Sequence, residues 1–317
     1  MYKLKQIPED FIVNEISNFE VKGKGNYSYY ILRKKNYSTL RAAEHIAEKI
    51  GIPLKWIGFA GNKDKAAITS QLISIKNKKA DGISLKDIEL NYLGSGDEPI
   101  SLGDLEGNRF EITIRNLDDS DTEKLKTLSG KIKFKNYFGE QRFSKNNAEI
   151  GKAIIKRDFK KAAILAGEGN ESVKQCLDRN KTDYIGAIRT IPLKALKIYV
   201  HAYQSWIFNK IAGTLNCDED IKIPIVGFGT EIKDDEIGNA VKEIMESEDI
   251  NTRDFIISQI PELSSEGDER KVFSFAEEFK VTSIGEDELN GGMKKTVISF
   301  KLNKGAYATV FIKELLS

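Results

Sequence analysis

The chain has 317 residues, with 49 Lys and Arg against 48 Asp and Glu for a net charge of +1, and it is 40% hydrophobic; this describes a globular protein of about two domains at roughly 150 residues each. No apolar stretch approaches the ~18–20 residues that span a bilayer, and the opening MYKLKQIPEDF lacks the apolar core of a secretory signal. Cys176 and Cys217 cannot build a disulfide framework, and with only His45 and His201 beside them they make a zinc site improbable, so a cytoplasmic protein without a metal is expected.

In chain order, residues 11–16 (FIVNEI) and 27–32 (YSYYIL) read as strands, bounded by Gly, Asn and Lys turns. A helix follows, capped by Ser38 or Thr39, with Leu40, Ala43, Ile46, Ala47 and Ile50 as its apolar face and Gly51 as its stop. Two apolar runs, 56–60 and 68–75, flank the polar loop Gly61-Asn62-Lys63-Asp64-Lys65, and 110–115 alternates with the period of a half-buried strand. From about 147 to 215 the period turns helical, over 148–155, 160–166, 172–177 and 193–211. An acidic section runs to about Gly267, with 223–228 as its strand. The chain closes with a strand at 296–300, a turn at 303–305 and an amphipathic stretch from Tyr307 to Leu316. Strands early and late with helices between predict an α+β sheet domain interrupted by an insertion.

Charge is segregated along this chain. Residues 1–79 carry 15 basic and 7 acidic groups, a net of +8; residues 131–161 carry 10 and 3, a net of +7; residues 215–290 carry 7 and 21, a net of −14. Such asymmetry points to one face that attracts a polyanion. The acidic section is then expected to lie away from that partner or to limit its path.

Two segments carry the candidate chemistry. In FAGNKDKAAITSQ, Asp64 stands between Lys63 and Lys65 on a turn between two strands. Flanking ammonium groups favour an ionised carboxylate, which suits a nucleophile or a base; a charged hairpin tip is the plain alternative. The guanine-recognising Asn-Lys-x-Asp would need an Asp where Lys65 stands, and no phosphate-binding loop is present. In NYFGEQRFS, Tyr137, Phe138 and Phe143 interleave with Asn136, Glu140, Gln141 and Arg142 after Lys131, Lys133 and Lys135. Aromatics stack on unpaired bases while cations follow phosphates, although an aromatic strand packed in the core reads equally well. Tyr203, Trp206 and Ile207 have the spacing of a helix core, and both histidines read as structural.

Together, PEDFIVNE, FAGNKDKAAITSQ, NYFGEQRFS, HAYQSWIFN and KGAYATVFIKEL, with GNRFEITIR as a softer sixth, resemble the TruD family of tRNA pseudouridine synthases, in the family's order and closer to its archaeal and eukaryotic branch. The resemblance implies a pseudouridine synthase catalytic domain, a largely antiparallel sheet with flanking helices, over 1–150 and 271–317, interrupted by an α/β insertion over 151–270. It implies isomerisation of a tRNA uridine, typically at position 13, with Asp64 catalytic and no cofactor. Lys5 would support the aspartate, Asn136 and Phe138 would shape the pocket with Phe138 stacking on the base, and Lys63, Lys65, Gln141 and Arg142 complete the substrate-binding set. One departure is Ser144, where the family usually has Gly. The partner is tRNA; with no heptad seam or exposed apolar run, a monomer is expected. A uridine-directed glycosidase with Glu140 as acid, or a non-catalytic tRNA-binding module, are the alternatives.

Overall fold

A computed structural model describes residues 1–21, 23–215 and 221–317; Cys217 and part of the acidic section fall outside them. The chain divides into two compact units. The first comprises Met1–Phe134, Phe275–Ala308 and Leu315–Ser317, and the second Lys135–Ser274 and Thr309–Glu314. Residues 135–150, grouped with the sheet in the sequence reading, thus pack within the second unit.

The first unit is built on a nine-stranded sheet. Its early elements are β1 (Phe11–Ile16), β2 (Tyr27–Lys35), α1 (Thr39–Ile50), β3 (Ile57–Phe59), β4 (Ile68–Lys76), β5 (Ile88–Gly96), β6 (Gly107–Leu117), α2 (Asp119–Lys126) and β7 (Gly130–Lys135). The Ser38 hydroxyl accepts the Arg41 amide at 3.2 Å to start α1, and Gly51, at φ +70°, ends it in the left-handed conformation that glycine tolerates. The buried face of α1 is Ala42, Ala43, Ile46, Ala47 and Ile50; Leu40, expected on it, points to solvent because the sheet is met by Ala42 instead.

The second unit is mainly helical: α3 (Glu140–Phe143), α4 (Asn147–Ile155), α5 (Phe159–Gly167), α6 (Glu171–Arg179), α7 (Tyr184–Arg189) and α8 (Leu193–Thr214), then β8 (Lys222–Ile225), α9 (Glu236–Glu248) and β9 (Asp268–Lys271). Here β8 and β9 form an antiparallel pair. The 22-residue α8 buries Val200, Tyr203, Ile207, Phe208 and Ile211 in one cluster with α4, α5 and α9. Tyr203 and Ile207 are core as their spacing predicts, whereas Trp206 stays half-buried. The strand expected over 223–228 is the shorter β8. NYFGEQRFS is not a strand: Asn136–Gly139 runs without regular structure into the single turn α3.

The chain then returns as β10 (Phe273–Glu286), β11 (Lys294–Asn303) and α10 (Ala308–Leu315). The sheet order is β5-β2-β4-β1-β6-β11-β10-β7, with β3 added on β4. The fold is therefore α+β with a largely antiparallel sheet, as expected. The parallel pairing of β1 with β4, Ile12 opposite Ile68, sets the site. Parallel strands begin at the same end of a sheet. The segment before β1, carrying Lys5, and the loop before β4, carrying Asp64, therefore emerge side by side. β2 runs antiparallel to β4 with Lys34 opposite Thr69, so its final residues reach that same end.

Candidate active site

Asp64 sits at this end of the sheet, its side chain about one-third exposed, and Lys5 Nζ donates to its Oδ2 at 2.5 Å. The two residues are far apart in sequence, and the β1–β4 register brings them together. The Lys5 ammonium also lies 4.1 Å from the centroid of the Phe11 ring, which confines its approach. On either side of Lys5 the chain is stapled to Arg115 on β6. Lys3 exchanges both backbone hydrogen bonds with Arg115, and the Arg115 guanidinium donates to Asp10 of the PEDF segment at 2.8 Å. The same guanidinium reaches Asp287 and Glu288, and Arg115, Asp10 and Asp287 are all buried. Burial disfavours the charged guanidinium, but its bonds to Glu288, Asp10 and Asp287 outweigh that and raise its pKa.

The loop that presents Asp64 is fixed at several points. Gln71, which closes the FAGNKDKAAITSQ segment, donates through Nε2 to Gly61 O at 3.0 Å. Its Oε1 accepts from the Thr39 hydroxyl at 2.8 Å, and that hydroxyl in turn accepts the Lys63 amide at 2.8 Å. Lys34 donates to the backbone carbonyls of Tyr37, at 2.5 Å, and Asp64, at 3.0 Å. Its side chain is almost wholly buried. That burial lowers the Lys34 pKa to about 8, with nearby Asp64 opposing the shift and Lys63 adding to it.

The two lysines adjacent to Asp64 in sequence do not flank it as their spacing suggests. Lys63 Nζ turns inward to Glu15 on β1, at 2.7 Å with both side chains nearly buried, and also donates to Asn108. Lys65 is exposed. The ammonium at the carboxylate belongs to Lys5. Lys34, Thr39 and Glu15 escaped the sequence reading as site residues: Thr39 read only as a helix cap, and Glu15 was simply the end of the PEDFIVNE match.

In the helical unit, Phe138 is held by Asn209 of α8, whose side chain accepts the Phe138 amide at 2.8 Å and donates to its carbonyl at 2.9 Å. This gives the Asn of the HAYQSWIFN segment a local task. The Phe138 ring meets Phe208 edge-on, centroids 5.4 Å apart, and the Arg270 guanidinium carbon lies 4.2 Å from its centroid. Arg270 also donates to the Asn136 side chain at 2.6 Å and to its carbonyl, while the Asn136 amide donates to Val272 O. Asn136, Phe138 and Arg270 thus form one cluster, and nothing in the sequence singled out Arg270. Arg142 donates to Ser205 Oγ at 3.2 Å, with its guanidinium carbon 5.7 Å from the Phe138 ring centroid; Gln141 is exposed. Glu140 is highly exposed and paired with Lys313.

The charge blocks of this unit are not kept apart. Lys152 pairs with Glu248 at 2.8 Å, Lys156 with Asp249 at 2.7 Å and Arg157 with Asp254 at 3.5 Å, so part of the basic 131–161 segment is neutralised by the acidic section. Among the described residues, no group of three His, Cys, Asp or Glu side chains is placed to hold a metal ion, and no helix is long and apolar enough to cross a membrane.

The family model for tRNA pseudouridine synthase D matches residues 2–174, 170–216 and 214–315. Similar proteins include the tRNA pseudouridine synthase D of Aquifex aeolicus, 30% identical over 99% of this chain and 97% of its own. A probable tRNA pseudouridine synthase D of Methanosarcina acetivorans is 31% identical over 99% of this chain and 92% of its own. A crystal structure of a Methanosarcina mazei protein named for the same family superposes with a TM-score of 0.79 at 29% identity, over 99% of this chain and 93% of that one. With its motifs in order and this coverage from end to end, the chain belongs to the tRNA pseudouridine synthase D (TruD) family and carries the pseudouridine synthase fold.

Proposed function

We propose that this protein isomerises uridine to pseudouridine in tRNA, at position 13, with Asp64 as the catalytic carboxylate. The observation that supports the assignment most is the Lys5–Asp64 ion pair at 2.5 Å on a loop clamped by Gln71, Thr39 and Lys34. A partly exposed carboxylate with the Lys5 ammonium aimed at it is oriented for work on a ribose. Preorganisation of this kind avoids rearrangement during reaction.

In the reaction the N1–C1′ bond breaks, the uracil turns, C5 bonds to C1′, and the proton on C5 is lost as N1 gains one. Atoms and electrons balance, so the isomerisation requires no cofactor. The target nucleotide must leave its stack, at a cost of a few kcal/mol that interactions with the base and backbone offset. Asn136, Phe138, Gln141 and Arg142 are assigned to binding the RNA, Phe138 by stacking. Lys65, exposed next to Asp64, is assigned to the phosphate backbone. Lys63, first grouped with the substrate-binding residues, acts through its bond to Glu15 as an anchor of the loop. The sheet residues and the family insertion between them correspond to the catalytic and tRNA-recognition parts of a cytoplasmic monomer.

The test is incubation with an unmodified tRNA transcript, followed by chemical mapping of pseudouridine and assay for free uracil. One new pseudouridine at position 13 and no free uracil are expected. Released base would indicate a glycosidase, and an unchanged transcript would remove the activity.

A further inference from the structure

The positive charge of residues 1–79 is spent unevenly. Lys5, Lys35 and Lys63 pair with Asp64, Glu9 and Glu15, while Arg33 pairs with Glu89 and Arg41 with Glu44. Lys55 and Lys76 take no carboxylate among the described residues. Both line one cavity of about 490 Å³, with Tyr27, Trp56 and the segment 99–101 as its other walls. Tyr27 and Lys76 are cross-strand neighbours on β2 and β4, and the ammonium lies 6.0 Å from the ring centroid.

The cavity wall is built in advance. Ile100 is buried and its amide donates to Ser74 Oγ at 2.9 Å, while the Gly103 amide donates to Ala60 O at 2.8 Å. Gly58 lets this segment lie directly on β3, since a Cβ there would stand 2.2 Å from the Ile100 carbonyl oxygen. Asp97 and Glu98 precede the wall without lining the cavity. Two unpaired ammonium groups beside an indole and a phenol, in a fixed concavity, match the chemistry of one unstacked nucleotide: a phosphate between cations and a base against an aromatic ring.

We infer that the cavity between Lys55, Lys76, Trp56 and Tyr27 is a second RNA subsite, which takes a single unpaired nucleotide of the substrate with its phosphate on the two lysines and its base on an aromatic wall. The inference rests on the reading of tRNA as substrate. The subsite is remote from the chemistry. Lys76 ends β4, eight residues beyond Ile68 where the Asp64 loop enters it, or roughly 26 Å at ~3.3 Å per residue. It therefore governs affinity and leaves the chemical step alone.

The experiment uses the full-length protein with an unmodified tRNA transcript. The chain has two tryptophans, Trp56 and Trp206, so Trp206→Phe leaves Trp56 as the sole indole. Saturating transcript is expected to quench its fluorescence. In the same background, the double variant Lys55→Gln/Lys76→Gln is expected to weaken tRNA binding about five- to tenfold. The slope of log affinity against log salt should become shallower by about 1.4, at ~0.7 for each single-strand phosphate deprived of its lysine, with single-turnover rate at saturation unchanged. An unquenched Trp56, or an unchanged affinity and salt slope, would overturn the inference. Both readouts are taken without turnover, so a protein that binds and quenches but forms no pseudouridine would sink the proposed activity and leave the subsite standing.

Discussion

Lys34→Met isolates the buried lysine that holds the Asp64 loop. The ammonium is buried and donates to the carbonyls of Tyr37 and Asp64, with no carboxylate bonded to it among the described residues. Burial lowers its pKa from 10.5 to about 8. A base whose folded pKa is depressed costs stability while both states are protonated, below pH 8. That cost fades as pH rises towards 10.5, because the unfolded chain keeps its proton after the folded one has lost it. At about 1.4 kcal/mol per pKa unit, the cost at pH 7 is of order 3 kcal/mol.

Methionine removes this cost but leaves two carbonyls short of a donor, at roughly 1–3 kcal/mol each, so stability at pH 7 should change little. The pH dependence is the sharper readout. In urea titrations at pH 7 and pH 10, wild type should gain about 2–3 kcal/mol on the variant, from the same linkage. Activity at pH 7 should fall at least about tenfold (roughly 1.4 kcal/mol) with tRNA affinity retained, because the Asp64 carbonyl has lost its anchor. Parallel stability curves across that range, or full activity in the variant, would refute the reasoning.

Three other substitutions probe the rest. Ser144 has φ +46° and ψ −146°, a region in which only glycine rests without strain; Ser144→Gly should raise stability by about 1 kcal/mol in urea melts, and a loss would show that no strain was stored there. Phe138→Ala should weaken tRNA binding by roughly 1–3 kcal/mol, the scale of a base–aromatic stack, measured by filter binding beside a stability control because Phe138 also packs on Phe208. Arg115→Met leaves Asp10 and Asp287 buried without their cation and should cost about 3–5 kcal/mol. Burial opposes ionisation of Asp287, but the Asn116 amide, Asn290, the Leu289 amide and Arg115 together hold its pKa well below the usual carboxylate range. Its stabilising contribution is thus present above pH ~4 and lost as pH falls through the lowered folded value, so the variant's acid transition, followed by circular dichroism, should begin at higher pH than that of wild type.

Where local chemistry decides structure, the residues announce it. Ser38 and Gly51 bracket α1, and Ile68, Leu72, Ile73 and Ile75 mark β4, which is buried along nearly its whole length within the sheet. β10 hides because its buried Phe273, Ala276 and Phe279 recur every third residue, as on a helix; its strand is irregular around Glu278, which has φ +53°. α9 is concealed by its acidic surface, and only the register of its buried Gly238, Ala240, Val241 and Met245 betrays it.

The site follows the same rule. Asp64 was legible because its whole motif is local. Sequence adjacency misled over Lys63, since the β1–β4 pairing turns that lysine to Glu15 and brings Lys5 to the carboxylate instead. Lys5 was named only through family resemblance. Arg270 could not be found at all, since its bond to Asn136 spans 134 residues and no periodic pattern marks it.

The most direct measurement is a single-turnover reaction of Asp64→Asn, in excess over unmodified tRNA transcript, with pseudouridine mapped by chemical modification and binding followed in parallel. The expected result is tRNA affinity within about twofold of wild type (under 0.5 kcal/mol) and no pseudouridine above the enzyme-free control. Pseudouridine formed by the asparagine variant at the wild-type rate would contradict the assignment of Asp64 as the catalytic group.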